Sequence, residues 1–266
     1  MKNKDIISSL SNAQMKNLTL LQKKSKARDD QGVFVVEGWK MFEEALELGL
    51  MKKAYVSESF YQEMTVQEPD YFQSFDYEIV SDSVFKEVAD TKTPQGIMGL
   101  VKKAEHSLEY MIKTPNACLL LLEDIRDPGN LGTMIRTAEG AGVTGIICNS
   151  STVDLYNPKV IRSTMGSIYR MPFYQSEDFF GTISAIKQQE ITIFAAHLSG
   201  ELYDTEGSFV DPCAFLIGNE ANGLSKEASE KADRLIKIPM AGKVESLNAA
   251  VAAAILMYEA ARQRRR

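Results

Sequence analysis

Two polar side chains that could do chemistry, Asn130 and Arg136, lie six positions apart in a segment that follows an apolar run. The apolar run covers residues 117–122, and the segment, at 127–138, is DPGNLGTMIRTA. The run predicts a buried strand that ends where open α/β sheets bind ligands, and the proline and glycines predict a tight turn into a helix. Such a turn requires neither an amide nor a guanidinium. A binding or catalytic use of both groups therefore competes with an ordinary loop that carries a solvated arginine.

Two later segments repeat this arrangement of strand, glycine-containing loop and polar side chain. The first, GNEANG at 218–223, follows an apolar run and presents Glu220. The second, IPMAGKVESLNAAVA at 238–252, predicts a strand end, a loop and a helix with Ser246 and Asn248 in its first turn. The asparagines and the serine of the three segments are also good helix caps, and the glutamate is equally suited to a solvated loop.

The second half of the chain alternates strands and helices, which is typical of a parallel sheet covered on both faces. The predicted strands lie at 117–122, 145–149, 191–197, 213–217 and 234–238. The predicted helices lie at 130–141, 157–166, 177–189, 225–232 and 246–262. A nicotinamide-binding Rossmann domain has a similar pattern, but here the first strand-to-helix turn lacks the GxGxxG sequence that such a domain uses.

The first half predicts a smaller α/β unit. Its predicted strands lie at 33–36, 54–56, 77–80 and 97–101, and its helices lie at 12–26, after Gly38 and after Ser81. The polar stretch that follows has the composition of a linker. The sequence therefore predicts a unit at 1–104, a linker at 105–115 and a sheet domain at 116–266.

The composition, with 44% hydrophobic and 25% charged residues, is typical of a soluble globular protein. Apolar runs fall short of the roughly 20 residues of a membrane helix, and the first residues lack the apolar core of a secretion signal. We therefore expect a cytoplasmic protein without membrane contact. Cys118, Cys148 and Cys213 are expected to be buried free thiols, and with His106 and His197 as the only histidines we expect no metal site.

The net charge of −6 is unevenly distributed, because residues 1–28 hold seven basic residues and one acidic residue. The basic residues are Lys2, Lys4, Lys16, Lys23, Lys24, Lys26 and Arg28. A phosphate-binding surface and a solvated amino-terminal helix explain this cluster equally well. A second basic cluster at the end of the chain is expected to place favourable charge at a helix carboxyl end; its members are Arg262, Arg264, Arg265 and Arg266.

Taken together, the three segments resemble the three motifs of the SpoU/TrmH family of RNA 2′-O-ribose methyltransferases, a branch of the SPOUT superfamily. They match in order, in spacing and in strand–loop–helix context, and the catalytic resemblance covers roughly residues 115–266. The sequence VFVVEG at 33–38 resembles, less specifically, the ribosomal-protein-like substrate-binding domain of the family. One departure is Ala250, where relatives often carry serine, but Ser246 and Asn248 are retained.

The resemblance implies an α/β fold in which the carboxyl-terminal parallel-sheet domain contains a deep trefoil knot and a smaller amino-terminal α/β domain binds the substrate. In such a knot the last strand and helix thread through an earlier loop, which hydrophobic patterns alone do not predict. Relatives form homodimers through the knotted domain. The alanines of the last helix suit that contact, and they are Ala249, Ala250, Ala252, Ala253 and Ala254.

The resemblance also implies S-adenosylmethionine as the cofactor, bent within the knot. Its adenine and ribose would rest on the backbone around Leu198, Gly218, Ile238, Met240 and Leu247. A glycine at position 218 fits this expectation, since a side chain there would block close approach of the backbone to the ligand.

The implied reaction is methyl transfer to a ribose 2′-hydroxyl, which is a poor nucleophile until its proton begins to leave. The family uses the arginine that matches Arg136 to activate that hydroxyl. Because a guanidinium keeps its proton, we expect Arg136 to hold the neighbouring phosphate and stabilise the 2′-oxyanion, while the phosphate or a water takes the proton. Asn130 would orient Arg136 or the ribose, and Glu220 would anchor its loop or steer the arginine. Ser246 and Asn248 would position the substrate and the first motif.

The two-domain layout resembles that of ribosomal RNA enzymes more than that of single-domain transfer RNA enzymes. We therefore expect 23S ribosomal RNA as the substrate, with transfer RNA as the alternative. A non-catalytic RNA-binding relative is a further alternative, but such a protein would be free to lose Asn130, Arg136 and Glu220.

Overall fold

The computed structural model describes residues 5–206 and 208–265, which divide into two compact units. Unit 1 holds the described residues up to Ala104 together with Tyr156–Tyr169. Unit 2 holds Glu105–Leu155 and the described residues from Arg170 onward. Each unit is built of strands and helices, and unit 2 contains a parallel sheet. The predicted α/β class, with a parallel-sheet carboxyl-terminal domain and a smaller amino-terminal domain, is confirmed.

Strands and helices alternate along most of the chain. The strands are β1 Val33–Glu37, β2 Met51–Ser57, β3 Tyr77–Val80, β4 Ile97–Lys102, β5 Cys118–Leu122, β6 Gly145–Asn149, β7 Phe173–Ser176, β8 Thr192–Leu202, β9 Cys213–Ile217 and β10 Arg234–Lys237. The α-helices are α1 Ala13–Lys23, α2 Ser25–Gln31, α3 Trp39–Glu47, α4 Glu58–Gln67, α5 Asp82–Val88, α6 Leu108–Lys113, α7 Pro128–Ala141, α8 Pro158–Thr164, α9 Phe179–Lys187, α10 Tyr203–Glu206, α11 Lys226–Lys231 and α12 Ala249–Arg264.

The sheet of unit 1 has the strand order β1-β4-β2-β3 and is covered by helices on both faces. Strand β4 is antiparallel to β1 and β2, whereas β2 and β3 are parallel. Helices α1, α2 and α5 cover one face, because Met15, Leu18 and Leu21 recur at helical spacing and are buried against it. Helices α3 and α4 cover the other face, where Phe42 is buried among aromatic rings.

The segment Tyr156–Tyr169, which contains α8, belongs to unit 1 although its sequence neighbours on both sides belong to unit 2. The ring of Tyr156 lies 4.7 Å from that of Phe34, measured between centroids. The hydroxyl of Tyr169 donates to the carbonyl oxygen of Met41 at 2.8 Å. The chain therefore leaves unit 2 and returns to it within the stretch that the sequence predicted as one sheet domain.

The sheet of unit 2 has the strand order β10-β8-β9-β5-β6-β7, and its described strand pairs are all parallel, as predicted. The central strands β5 and β9 are buried along their whole length. Ile183 and Ile186 of α9 and Ala228 of α11 pack in the core of this sheet. Helices α7 and α12 pack against each other, and α12 also contacts β9. This arrangement places the loops after β5, β8, β9 and β10 at one edge of the sheet, where parallel strands end.

Several elements differ from the sequence prediction. The stretch predicted as a linker contains α6, whose Met111 is fully buried in the core of unit 2; a helix of six residues is too short to show a clear helical pattern within a polar stretch. Helix α4 was not predicted, because only Met64 of its ten residues is buried. Strand β7 was missed because it is a short edge strand in which only Ser176 is buried. The helix predicted over 12–26 is two helices, because Lys24 has an extended backbone.

The described residues include no helix long and apolar enough to cross a membrane. Cys118, Cys148 and Cys213 are buried and form no disulfide with one another, which confirms the prediction of buried free thiols.

Candidate active site

Helix α7 begins in the turn after β5, and Asp127 is its cap. The Asp127 carboxylate accepts the backbone N–H of Asn130 at 2.8 Å, and Pro128 occupies the first helical position, where its missing N–H is not needed. Asn130 is therefore the third residue of the helix. The interpretation of Asn130 as a helix cap is wrong, and its side chain is available for other contacts.

The Asn130 side chain hydrogen-bonds to both of the other motifs. Its Nδ2 donates to Oε1 of Glu220 at 2.8 Å, and its Oδ1 accepts from Nδ2 of Asn248 at 2.9 Å. Asn248 also caps α12, because its Oδ1 accepts the backbone N–H groups of Ala250 and Val251. Three of the five predicted catalytic residues thus form one hydrogen-bonded line, and for Asn248 the capping and the positioning interpretations both hold.

Arg136 lies apart from this line. Six residues along an α-helix correspond to about 9 Å of rise and roughly 240° of rotation, so its side chain leaves α7 from another face than Asn130. Arg136 is exposed, and in the part of the chain that the structure describes its guanidinium has no hydrogen-bonding or ionic partner. Within this chain Asn130 does not hold Arg136, contrary to one of the expected roles.

Ser246 is exposed in the loop that precedes α12. Because α12 begins at Ala249 and its cap is Asn248, Ser246 is neither in the first turn of that helix nor its cap, and both predictions are corrected here. The residues before Asn248 are not helical, and the helix begins only where the Asn248 side chain accepts the first free backbone N–H groups.

A buried carboxylate that the sequence analysis did not single out holds the second motif in place. Glu123, which is 6% exposed, directly follows β5. Its Oε2 accepts the backbone N–H of Ser225 at 2.8 Å and its Oε1 accepts the Ser225 hydroxyl at 2.6 Å. Ser225 in turn caps α11. The only sequence signal was an acidic residue directly after a fully apolar strand.

The peptide groups of Asp124 are held by the ends of two neighbouring strands. Its N–H donates to Oδ1 of Asn149 at 3.0 Å, and its carbonyl oxygen accepts from Nδ2 of Asn219 at 2.8 Å. Asp124 has a positive φ of 56°, a conformation that asparagine and aspartate tolerate better than most residues. These contacts define where the chain leaves β5 and therefore where α7 begins.

A cavity of about 400 Å³ opens where β8, β9 and β10 end. Its lining includes all five predicted cofactor residues, namely Leu198, Gly218, Ile238, Met240 and Leu247. Of the predicted catalytic residues, Glu220 and Ser246 line the cavity, whereas the other three are not part of the lining. Glu220 is therefore the side chain that connects the cavity to the hydrogen-bonded line on α7.

Gly218 is required by the loop itself. A Cβ atom at this position would lie 2.3 Å from the carbonyl carbon of Gly223 and from the nitrogen of Leu224. The close approach comes from a tight turn in which Asn219 and Gly223 exchange backbone hydrogen bonds of 3.0 and 2.9 Å. The loop itself therefore requires a glycine here, and the expected reason, room for a ligand against the backbone, stays a prediction.

Arg264, at the end of α12, binds backbone groups near the starts of β5 and β9. Its guanidinium donates to four carbonyl oxygens at 2.7–3.1 Å and contacts the Cys213 sulfur at 3.4 Å; the carbonyls belong to Asn116, Ala117, Phe209 and Asp211. Arg264 therefore does more than place favourable charge at a helix end, because it also hydrogen-bonds to distant parts of the chain.

The thiols of Cys118 and Cys213 are hydrogen-bonded to each other. This hydrogen bond lowers the pKa of Cys118 and raises the pKa of Cys213.

The described residues include no group of three histidine, cysteine, aspartate or glutamate side chains placed to hold a metal ion. The lining of the cavity comes from three loops and combines apolar residues with polar ones such as Asn219, Glu220 and Ser246. Leu198, with 67% exposure, is available for contact with an apolar group.

The parallel sheet and its three polar loops match a known class of enzymes, the rRNA methylases. Residues 117–258 match the model of the SpoU rRNA Methylase family, and residues 12–99 match the MRM3-like substrate binding domain. This chain belongs to the SpoU rRNA methylase family.

Similarity to individual proteins extends over nearly the whole chain. The 23S rRNA (guanosine(2553)-2′-O)-methyltransferase RlmP of Bacillus subtilis is 32% identical over 95% of this chain and 97% of its own. The AdoMet-bound rRNA methyltransferase of Sinorhizobium meliloti is 31% identical with a TM-score of 0.82, covering 97% of both chains. The SpoU methyltransferase AviRb of Streptomyces viridochromogenes, in complex with AdoMet, is 25% identical with a TM-score of 0.83, covering 95% of this chain and 98% of that one.

Proposed function

We propose that this chain transfers a methyl group from S-adenosylmethionine to a ribose 2′-hydroxyl of 23S ribosomal RNA. The observation that carries the proposal is the contact between Asn130 and Glu220, since Glu220 also lines the cavity. That contact joins a ligand-sized cavity to a polar line of side chains drawn from all three motifs. Relatives named as 23S rRNA 2′-O-methyltransferases, and AdoMet-bound structures of the family, support the proposal.

The cavity residues fit S-adenosylmethionine. Leu198, Ile238, Met240 and Leu247 supply apolar contacts for an adenine ring, and the loop backbones supply donors and acceptors for its edge and for the ribose. The bound cofactor would supply an electrophilic methyl group on a sulfonium sulfur. Glu220 is the carboxylate of this cavity that also contacts α7.

The residues of the chain would bind the ribose and stabilise the charge that develops on its 2′-oxygen. Arg136 is exposed and has no described partner, so its guanidinium is available to a phosphate and to the developing 2′-oxyanion. Because a guanidinium keeps its proton, the phosphate or a water would accept the proton of the hydroxyl. Asn130 and Asn248 act as positioning residues, and Ser246, at the rim of the cavity, would bind the substrate.

A deep trefoil knot in unit 2 is part of the proposal. It is supported by strand β10, which pairs with Phe194 and Ala195 and then, after a register shift, with Glu201 and Leu202. A Cβ atom at Gly200 would lie 2.5 Å from the backbone nitrogen of Ile236, so the two strands approach as closely as a glycine allows. This close approach supports a chain that threads past another loop.

We further propose a homodimer through the knotted domain, with α12 at the contact. Ala249, Ala250 and Ala253 are buried within the chain, so the expected alanine face is only partly available. Val251 and Tyr258 are about half exposed on the same helix and would form the apolar centre of the contact. The residues at 1–104 would bind RNA, and the enzyme would work in the cytoplasm, where bacterial ribosomes are.

The test is methyl transfer from labelled S-adenosylmethionine to purified 23S rRNA and transfer RNA, with wild-type protein and Arg136→Ala. We expect label in 23S rRNA that disappears in the variant. Label in transfer RNA alone would keep the chemistry and overturn the substrate. Cofactor binding without transfer to either RNA would overturn the proposed substrates, and a protein that binds RNA but not the cofactor would be a non-catalytic relative.

A further inference from the structure

Two helix pairs on opposite faces of the sheet of unit 1, α1/α2 and α3/α4, carry opposite charge. Helices α1 and α2, with the residue between them, present four exposed lysines: Lys16, Lys23, Lys24 and Lys26. Helices α3 and α4, on the opposite face of the sheet, carry five carboxylates and one lysine; the carboxylates are Glu43, Glu44, Glu47, Glu58 and Glu63. A polyanion that approaches this unit is attracted by the first face and repelled by the second.

The lysines are available to a ligand. None of the four has a hydrogen-bonding or ionic partner in the described part of the chain. The acidic residues of the same two helices are Asp29 and Asp30, and Asp29 is paired with Lys103. The fifth basic residue, Arg28, is buried and donates to the carbonyl oxygens of Leu21 and Gln22. It therefore links α2 to α1 and is not part of the exposed basic surface.

The arrangement on α1 forms a regular stripe. Lys16, Leu20 and Lys23 are spaced by four and three residues, which puts them on one side of the helix. The buried Met15, Leu18 and Leu21 define the opposite side, so the lysines point away from the core. From the first to the last of these lysines the stripe extends about 10 Å.

We propose that the lysine face of α1 and α2, defined as Lys16, Lys23, Lys24 and Lys26, binds the phosphate backbone of the RNA substrate outside the methyl-transfer site. This inference rests on the proposed function, because the reaction needs a long polyanionic substrate. Backbone contacts of this kind position a nucleic acid without reading its sequence. The acidic α3 and α4 face then excludes RNA from the other side of the unit. Lys2 and Lys4 lie outside the described residues.

The test compares two double variants that remove the same charge from the same unit. Lys16→Gln/Lys23→Gln removes two lysines of the proposed face. Lys40→Gln/Lys52→Gln removes two exposed lysines, without described partners, that lie outside α1 and α2. The dissociation constant for 23S rRNA is measured between 50 and 200 mM salt, together with cofactor affinity and the melting temperature.

We expect the first double variant to bind RNA about 25- to 60-fold more weakly at 0.1 M salt, from a loss of roughly 0.7 to 0.9 in the logarithmic salt slope per phosphate contact. The control pair should bind like the wild type, and both should retain cofactor affinity and melting temperature. Equal affinity of the two double variants for 23S rRNA would contradict the proposal that the lysine face binds RNA. Separation of the two variants in a protein that transfers no methyl group would keep the lysine face and overturn the proposed function. A wild-type protein that binds no 23S rRNA would overturn both.

Discussion

Asn130 donates a hydrogen bond to Glu220 across ninety residues of sequence, at 2.8 Å. Asn130 lies in the first turn of α7, shortly after β5, and Glu220 lies on the loop after β9. These two strands are parallel neighbours whose carboxyl ends meet at the same sheet edge. Glu220 lines the cavity and Asn130 does not. The hydrogen bond therefore fixes the position of the cavity loop relative to the first turn of α7.

Replacing Asn130 by alanine would break that connection without opening the core. We expect Asn130→Ala to reduce methyl transfer by about 10²-fold, since the loss of one orienting or charge-stabilising group has that order of effect. Cofactor affinity should change little, because Asn130 is not part of the cavity lining. The control is Asn17→Ala, which removes a surface asparagine bonded to Gln31. Wild-type turnover in Asn130→Ala would contradict a positioning role.

Arg136 is expected to act on the substrate alone. Arg136→Ala should lower the turnover number by about 10²- to 10³-fold at saturating RNA and leave cofactor affinity and melting temperature unchanged, because no described residue forms a hydrogen bond or an ion pair with the guanidinium. Arg136→Lys should recover only part of the activity, since an ammonium cannot make a bidentate contact. Arg262→Ala, which removes an exposed arginine that donates to Glu259 of the same helix, should behave like the wild type. Loss of stability in Arg136→Ala would show that its role is structural.

The buried carboxylate of Glu123 should matter for cofactor binding more than for the chemical step. Glu123→Ala leaves the N–H and hydroxyl of Ser225 without their acceptor and should weaken cofactor affinity by roughly tenfold or more, at about 1–3 kcal/mol per unsatisfied group. Glu123→Gln keeps one acceptor and gains a donor to the serine oxygen, so it should bind nearly normally. Calorimetric titration with S-adenosylmethionine distinguishes the two variants. Equal binding by both would argue that the second motif holds its shape unaided.

Removal of Arg264 should destabilise unit 2 although the residue lies two positions from the chain end. Arg264→Ala removes the guanidinium donor from four carbonyl oxygens, of which that of Ala117 keeps the backbone N–H of Cys213, and should lower the melting temperature by roughly 5 to 10 °C. Arg264→Lys cannot reach the same set of acceptors and should restore little. The matched control is Arg265→Ala, which removes a guanidinium that donates to a carbonyl oxygen of its own helix. A melting temperature equal to that of the control would contradict the fastening role.

The sequence predicts the parts of this site that depend on local pattern. Apolar runs and glycine loops were enough to predict β5, β9 and the loops that carry Asn130 and Glu220. Contacts between distant segments could not be predicted in the same way. The acceptors of Arg264 are backbone carbonyls whose grouping exists only in the folded sheet, and Glu123 reveals its role only through the position of Ser225.

Two further differences have simple physical causes. Asn130 and Asp127 are both good caps by residue type, and only the path of the turn decides that Asp127 is the one used. Ser246 has the residue type of a cap as well, but the loop delays the helix until Asn248.

The double crossing of the chain at Tyr156–Tyr169 restricts how this protein can be divided. A fragment that starts at residue 105 would keep α8 but lose Phe34 and Met41, the partners of Tyr156 and Tyr169. Its newly uncovered apolar surface would favour aggregation. Conversely, a fragment that ends at 104 would lack a layer of its own fold. A chimera of two family members therefore keeps the contacts of unit 1 only if the residues up to Ala104 and the segment Tyr156–Tyr169 come from the same parent.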